Sequence, residues 1–142
     1  MKSTLAFGTT FVATIPIDKA RTISFMGEEL RVYGTPYMVL DCEQTCRQLL
    51  SQHHDVGEDS VGARVEIDHL APTLLGQTVT IAARVTELAL PRVLFEIEVK
   101  DEIDTVGRVK HTRFVVDHAK QGERLKKKAE KVKASKENAA RG

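Results

Sequence analysis

The chain has 142 residues, of which 42% are hydrophobic and 29% charged, a composition typical of one soluble globular domain. No apolar run approaches the roughly 20 residues that a membrane helix needs, and the N-terminus lacks the apolar segment of a signal peptide. We therefore expect a cytoplasmic protein that has no membrane partner. The two cysteines, Cys42 and Cys46, are predicted to be buried core thiols. They are too few for a structural zinc site, and no metal site is predicted.

The formal net charge of +1 conceals an uneven distribution along the chain. Residues 120–142 contain nine Lys or Arg and three Asp or Glu, so they carry +6 and the rest of the chain −5. We predict a domain over 1–118, followed by a basic, polar, solvated helix or tail over 119–142. Such a tail can attract phosphate-bearing partners. Nucleic-acid binding is not favoured, because the basic residues are confined to the tail and aromatic residues are only 5%.

The first half of the chain predicts one strand and one long helix. Residues 9–17 alternate apolar and polar side chains, which is typical of a strand. Residues 18–33 show no sustained period and predict a loop or a short irregular segment over the helix start. A helix is predicted over about 36–51, with Thr35 as its cap and Pro36 at its first position. Its inward stripe is Met38, Cys42, Thr45, Cys46 and Leu49.

Four strands are predicted after the helix. Odd-numbered residues of 61–69 share one face, so His69 lies on the same face as apolar residues. The runs 79–85 and 93–99 alternate in the same way. The run 106–116 ends with apolar residues on both faces, which favours a central position in the sheet. The predicted inward residues are Val61, Ala63, Val65, Ile67, His69, Val79, Ile81, Ala83, Val85, Val93, Phe95, Ile97 and Val99.

The order of a strand, a long helix and four strands predicts an α+β fold. Consecutive strands joined by short turns are expected to pair antiparallel, giving a five-stranded sheet wrapped around one long central helix. One helix cannot fully cover such a sheet. We therefore expect a homodimer joined edge to edge, and the association of two dimers stays open.

Three polar residues stand out against this pattern, namely Thr35, Glu43 and His69. Each has a plain structural interpretation, as a helix cap, a solvated residue on the flank of the helix stripe, and a hydrogen-bonded histidine at a strand end. The same three residues also fit the chemistry of thioester hydrolysis. Backbone N–H groups at a helix start can stabilise an oxyanion, Glu43 can act as nucleophile or as base for water, and His69 can transfer protons. Arg113 would need a carboxylate partner if it is buried.

These residues resemble a known family. Gly34-Thr35, Glu43 eight residues on, Gly62 in SVGARVEIDH, His69 seven residues later and HTR at 111–113 reproduce the motif spacing of hotdog-fold thioesterases similar to fluoroacetyl-CoA thioesterase. In that family the matching Thr, Glu and His form the catalytic set, and the matching Gly and Arg line or support the site. The resemblance implies a hotdog fold and an acyl-CoA substrate, with no cofactor beyond the CoA of the substrate. It implies catalytic Thr35, Glu43 and His69, and substrate-binding Gly62 and Arg113.

The resemblance covers roughly residues 9–129, with one departure in the segment before the helix. Residues 23–32 look shorter than the fluoroacetyl-specific lid, and Glu29 stands where that lid carries an aromatic residue. This supports hydrolysis of a small or medium acyl-CoA thioester without fluoroacetyl selectivity. The alternatives are an acyl-thioester hydratase or dehydratase of the same fold, and a non-catalytic module that binds acyl-CoA or another small ligand.

Overall fold

In the computed structural model, which describes all 142 residues, a long helix packs on one face of a five-stranded antiparallel sheet. This is the architecture that the order of elements predicts. A second helix follows at the C-terminus, and neither helix is both long and apolar enough to span a bilayer. The elements are β1 (Thr10–Pro16), β2 (Thr22–Ile23), β3 (Val32–Tyr33), α1 (Thr35–Ser51), β4 (Glu58–His69), β5 (Thr78–Ala89), β6 (Arg92–Lys100), β7 (Thr105–Asp117) and α2 (His118–Arg141).

The strand order in the sheet is β1-β5-β6-β7-β4. β7 is a central strand, as predicted. The expectation that all consecutive strands pair is wrong for β4 and β5, which lie on opposite sides of the β6–β7 pair. Their connection, residues 70–77, is not a tight turn, because it runs beside β3 and bridges to it through Leu74 and Val32. The crossover leaves the 12-residue strand β4 at one edge of the sheet, with the 7-residue β1 at the other.

The core lies between α1 and the inner face of the sheet. Cys42 and Cys46 are both buried free thiols, as predicted. Gly107 of β7 allows the helix to approach closely, because a Cβ there would lie 2.6 Å from Sδ of Met38. Full burial of each large apolar side chain contributes about 1.5–3 kcal/mol. The core layer includes Met38, Cys42, Cys46, Leu49, Leu50, Val79, Ile81, Ala83, Val85, Val93, Phe95, Ile97 and Val99.

A β-bulge in β4 corrects the predicted facing of its first residues. Gly62 pairs with Arg113 and Arg64 with Thr112, so Ala63 is one extra residue in the strand. Because an extra residue reverses the alternation, Val61 is 37% exposed and Ser60 faces the core at 5%. The inward assignment of Val61 and Ala63 is therefore wrong. The same bulge places Gly62 on the inner face, against α1.

Residues 18–34 form the short irregular segment that the lack of periodicity predicts. Two 3₁₀ turns and the two-residue strands β2 and β3 make up most of it. The segment is fixed to its surroundings at its end, where the N–H of Gly34 donates to the carbonyl of Arg21 (3.0 Å) and that of Tyr33 to the carbonyl of Thr73 (2.8 Å). It therefore leads the chain directly into the first turn of α1.

Helix α2 follows β7 without a linker. The Asp117 side chain accepts a hydrogen bond from the N–H of Lys120 (3.0 Å) and caps the helix. No residue of α2 is buried, and its two large apolar side chains, Leu125 and Val132, are exposed. The helix is therefore a solvated extension of the last strand.

Candidate active site

The first cluster of polar groups lies where α1 begins beside the end of β4. Thr35 is the first helical residue, and its Oγ1 shares a 2.7 Å hydrogen bond with Nδ1 of His69. The prediction that Thr35 caps the helix is wrong, since Gly34 is the N-cap and no side chain caps it. The hydroxyl is instead used to fix the imidazole ring.

One backbone donor in this turn remains free. Pro36 has no N–H, and the N–H groups of Tyr37 and Met38 both donate to the carbonyl of Gly34 at 3.1 Å. The Thr35 N–H has no acceptor within the chain. A free N–H at the positive end of a helix dipole can stabilise an oxyanion. The predicted backbone donors to an oxyanion are thereby narrowed to the Thr35 N–H.

His69 is held in a largely apolar setting. The ring of Tyr33 contacts the His69 ring edge-on, with centroids 6.4 Å apart, and Nε2 of His69 is buried without a hydrogen-bond partner. Burial lowers the pKa of His69 below its ordinary value. His69 is therefore neutral at pH 7, and its Nε2 is free to exchange a proton with a substrate or a water molecule.

A buried ionic network supports this turn from inside. Tyr33, 1% exposed, donates its phenol O–H to Asp41 Oδ2 at 2.5 Å. Nε of Arg21 donates to the same Asp41 carboxylate at 3.0 Å. Because Asp41 belongs to the second turn of α1, the network ties residues 21 and 33 of the preceding segment to the helix. It thereby holds the aromatic ring that packs against His69.

The second cluster lies farther along α1 and contains Glu43. Its carboxylate is 34% exposed and lies 3.8 Å from Nη1 of Arg113, the carboxylate partner that a buried Arg113 requires. A Cβ on Gly62 would lie 2.8 Å from Oε2 of Glu43 and 3.3 Å from Nη1 of Arg113. Gly62 therefore makes room for the carboxylate, and any larger residue there would displace it.

Arg113 is itself fixed by buried hydrogen bonds. Its Nε and Nη2 donate to Oγ and the carbonyl of Ser60, both at 2.9 Å. His111 lies beside it, with Nε2 3.2 Å from Nη1 of Arg113 and Nδ1 2.8 Å from the carbonyl of Arg64. Burial lowers the pKa of both Arg113 and His111, so His111 is neutral and does not repel the guanidinium.

Within one chain these five predicted residues form two clusters. Thr35 lies with His69, and Glu43 with Gly62 and Arg113. No hydrogen bond or ion pair joins Glu43 to Thr35 or His69. Eight helical residues at about 1.5 Å each separate Glu43 from Thr35 by about 12 Å along the axis. The catalytic set is expected to converge on one cavity at a dimer interface, and within one chain Glu43 lies apart from Thr35 and His69.

Sequence reasoning did not find the supporting residues of either cluster. Asp41 carried a usable signal, because a carboxylate between Met38 and Cys42 lies on the buried stripe and requires a partner. Ser60 carried none, because it faces inward only after the bulge at Ala63. The supporting residues are Arg21, Tyr33, Asp41, Ser60 and His111.

Comparison with known proteins agrees with the fold. A model of the fluoroacetyl-CoA-specific thioesterase family matches residues 17–119, well over half of the chain. The chain belongs to this family. The fluoroacetyl-CoA thioesterase of Streptantibioticus cattleyicolor is 24% identical over 135 residues, which is 90% of this chain and 97% of that protein.

Solved structures support the same fold. A Thermus thermophilus hypothetical protein, described as a thioesterase superfamily member, has a TM-score of 0.84 at 26% identity, covering 91% of this chain and 96% of its own. A solved fluoroacetyl-CoA thioesterase has a TM-score of 0.79 at 24% identity, covering 87% and 97%. The predicted hotdog fold and family are confirmed.

Proposed function

We propose that this fluoroacetyl-CoA-thioesterase family member hydrolyses a small or medium acyl-CoA thioester to the free acid and CoA. The observation that carries the proposal is the Thr35–His69 hydrogen bond at the start of α1, where a free backbone N–H also points out of the helix. A relative's threonine-to-serine variant was solved in complex with acetyl-CoA. The proposed reaction consumes one water and uses no cofactor beyond the CoA of the substrate.

Each residue has a role in this proposal. The Thr35 N–H and hydroxyl stabilise the oxyanion that forms on the thioester carbonyl. Glu43 either attacks the carbonyl carbon or takes a proton from the attacking water. The sulfur leaves as the CoA thiolate when the C–S bond breaks. His69, neutral and with Nε2 unpaired, accepts the proton released by the attacking water, directly or from Glu43, and as the imidazolium passes it to that sulfur. Arg113 pairs with the Glu43 carboxylate and holds it in place.

A dimer would bring the two clusters together. β4 is a long edge strand with unpaired backbone groups, which favour pairing with another strand. In antiparallel pairing of two β4 strands about a two-fold axis, the His69 end of one faces the Glu58 end of the other. Glu43 and Gly62 of a second copy would then approach Thr35 and His69. We therefore place the complete site at a homodimer interface.

Fluoroacetyl selectivity is not part of the proposal. Glu29, which stands in place of the aromatic lid residue of that enzyme, is exposed on a 3₁₀ turn of the segment before α1. A carboxylate there does not close a small apolar pocket. The acyl group is therefore expected to be chosen by other contacts.

The test is a panel of acyl-CoA thioesters assayed with the parent protein and with Glu43→Gln. Gln keeps the shape and removes the charge, so turnover should fall at least about 100-fold, the range expected for losing a nucleophile or general base. His69→Ala should cost a similar order, and Thr35→Ala less, because the backbone donor remains.

Glu137→Gln, an exposed carboxylate on α2, is the matched control and should keep full activity. Near-parental hydrolysis by Glu43→Gln would show that the site assignment is wrong. If the parent hydrolyses no thioester, and Glu43→Gln binds acyl-CoA as tightly as the parent does, the result would instead favour the binding module. Water addition to an enoyl-CoA without hydrolysis would favour the hydratase.

A further inference from the structure

His111 is a buried histidine to which the proposed function gives no role. It lies on the inner face of β7, two residues before Arg113, and is 2% exposed. Its ring stacks on that of Phe95, with centroids 6.3 Å apart and an angle of 28° between the planes. It is also the first residue of the HTR run at 111–113, whose arginine pairs with Glu43. A ring buried in this way needs hydrogen-bond partners for its nitrogen atoms.

The two nitrogen atoms of the His111 ring have different partners, and these fix its tautomer. Nδ1 lies 2.8 Å from the carbonyl oxygen of Arg64, which can only accept, so Nδ1 carries a proton and donates it. Nε2 lies 3.2 Å from Nη1 of Arg113, which can only donate, so Nε2 is the acceptor. An imidazolium would instead turn a second N–H towards the guanidinium. His111 is therefore a neutral ring whose free lone pair faces Arg113.

Nη1 is the atom through which Arg113 approaches Glu43. It lies 3.8 Å from Oε2 of Glu43, and its only hydrogen-bond acceptor in the structure is Nε2 of His111. The other two nitrogen atoms of the guanidinium, Nε and Nη2, donate to Ser60. Ser60 thus holds one edge of the guanidinium, and His111 holds the end nearest the carboxylate.

The His111 ring also lies beside the space that the Glu43 carboxylate occupies. A Cβ on Gly62 would lie 3.2 Å from Cε1 of His111, 3.3 Å from Nη1 of Arg113 and 2.8 Å from Oε2 of Glu43. The imidazole and the ion pair therefore surround the same point of the bulged strand. A shorter side chain at position 111 would leave a gap there, into which the guanidinium and the carboxylate could shift.

We propose that His111 is a positioning residue, which acts through Arg113 to hold Glu43 at its reacting position. Its Nε2 accepts one N–H of Nη1 and leaves the second N–H of that atom for the Glu43 carboxylate. His111 itself exchanges no proton with the substrate. This inference rests on the proposed function, because Glu43 reacts with a thioester or with water only if the protein is a thioesterase.

A purely structural role accounts for only one of the two contacts of the ring. The Nδ1–H bond to the Arg64 carbonyl satisfies a backbone acceptor beside the bulge at Ala63. That bond needs no acceptor at Nε2, and a side chain with a single donor would be enough. The contact between Nε2 and the charged partner of Glu43 is the observation that points to positioning. Since His111 faces the inside of the sheet, pairing of the β4 edge with a second copy leaves both contacts in place.

Two substitutions separate the two contacts. His111→Gln places an amide oxygen near the position of Nε2 and loses the donor to Arg64, whereas His111→Asn keeps an amide donor near Nδ1 and places no atom at Nε2. For the best acyl-CoA we expect kcat of His111→Asn to fall about tenfold, less than the roughly 100-fold cost of misplacing a reacting group by about 1 Å. KM should stay within about twofold of the parent, because the lost interaction acts in the transition state. His111→Gln should recover most of the loss.

A double-mutant cycle tests whether His111 acts through Glu43. Adding His111→Asn to Glu43→Gln should change the residual rate by less than about twofold, because residues that act as a unit are not additive. Val79→Ala, a fully buried substitution on β5, controls for lost stability and should keep the parental kcat. An equal loss from His111→Asn in both backgrounds would overturn the proposal, and so would a His111→Asn variant more active than His111→Gln.

Two NMR measurements test the inference without turnover. The imidazole ¹⁵N signals of His111, assigned by their absence from His111→Gln, should show a proton on Nδ1 and none on Nε2 at pH 7. The ¹³Cδ signal of Glu43, assigned by its absence from Glu43→Gln, should shift in His111→Asn and not in Val79→Ala. A proton on Nε2, or a Glu43 signal that does not shift, would overturn the proposal.

These signals also separate the failure of this inference from that of the proposed function. If the parent hydrolyses no thioester, the proposed function fails, and the Glu43 signal in His111→Asn still shows whether His111 holds the carboxylate. If His111→Asn does not fold, the ¹⁵N signals of the parent decide, since a proton on Nε2 excludes acceptance from Arg113.

Discussion

At the scale of single residues, the position of the Glu43 carboxylate depends on the glycine opposite it. The hydrogen of Gly62 occupies the space where a Cβ would lie 2.8 Å from Glu43 Oε2 and 3.2 Å from Cε1 of His111. The ion pair with Arg113 is 3.8 Å long and leaves the carboxylate one third exposed. Space and charge therefore act together to hold the acid at the edge of the site.

Replacing Gly62 by Ala should lower activity with little loss of stability. The methyl group would move the flexible end of Glu43, and misplacing a reacting group by about 1 Å can cost about 100-fold in rate. We expect kcat/KM for the best acyl-CoA to fall about 10- to 100-fold in steady-state assays. Gly122→Ala is the control, because a Cβ there meets nothing within 4 Å. Full activity of Gly62→Ala would show that Glu43 is not held by this contact.

The second residue-scale prediction concerns the pH dependence of the reaction. Burial lowers the pKa of His69 below 6.5, so the neutral imidazole persists until the pH falls below that value. We expect kcat/KM to decline on the acid side, at a pH below 6.5, as His69 becomes charged. Because the folded-state pKa is below the unfolded one, stability is also lost as the pH falls through this window.

His111 titrates in the same direction, so the assignment needs a variant. Measuring the profile for His69→Gln at its residual rate should show the acid limb removed. The exposed His118 offers a matched control, and His118→Gln should leave the profile unchanged. A parent profile that is flat between about pH 5 and pH 7 would contradict the role given to His69.

At the scale of elements, α1 carries one residue of each cluster on a single rigid rod. Thr35 lies at its first position and Glu43 two turns later, so their separation is set by helix geometry. The bulge in β4 determines which residues of that strand face the helix, because it turns both Ser60 and Gly62 towards α1. The Arg21–Asp41–Tyr33 network fixes the segment that precedes the helix. The site thus depends on the relative placement of α1 and β4.

Helix α2 contributes little to the folding of the rest. Truncation after Lys128 removes residues none of which is buried, so the free energy of unfolding should change by less than about 1 kcal/mol. Chemical denaturation of the full-length and truncated chains measures this. Truncation after Pro91, which removes β6 and β7, should by contrast abolish folding. Loss of soluble protein on the shorter truncation would show that the helix docks on the body.

At the scale of the whole molecule, the sheet ends in an edge that a monomer leaves unprotected. β4 is 12 residues long, contains no proline, and pairs only with β7. Long exposed edges of this kind are normally covered, charged or paired. Pairing of this edge with a second copy would also bring together the two clusters, which are separate within one chain.

We therefore predict a homodimer joined through β4. Sedimentation velocity at assay concentrations should show a single species of twice the chain mass. Val61→Lys on the open edge should weaken the dimer, and activity should fall together with it. Thr10→Lys, on the opposite edge, is the control and should alter neither quantity. A stable monomer with full activity would contradict the dimer and the composite site.

The sequence by itself determined the layers and the core. Alternation in 79–85 and 93–99 and the stripe on 36–51 report burial directly, because side chains repeat with the period of their own element. Motif spacing identified the family. The spacing of Thr35 and Glu43 is informative because helix geometry fixes the distance between two residues on one helix. Both kinds of information are local in the chain.

Tertiary structure decided which groups meet. The Thr35 hydroxyl bonds His69 across 34 residues, and this contact cannot be distinguished from a helix cap by the residues near Thr35. The crossover that places β4 at an edge, and the bulge that exposes Val61 and buries Ser60, likewise follow from strand pairing between distant parts of the chain. The buried hydrogen-bond partners of Arg113 and Asp41 also depend on the tertiary structure. A buried charge needs a partner, and the fold determines which polar group lies next to it.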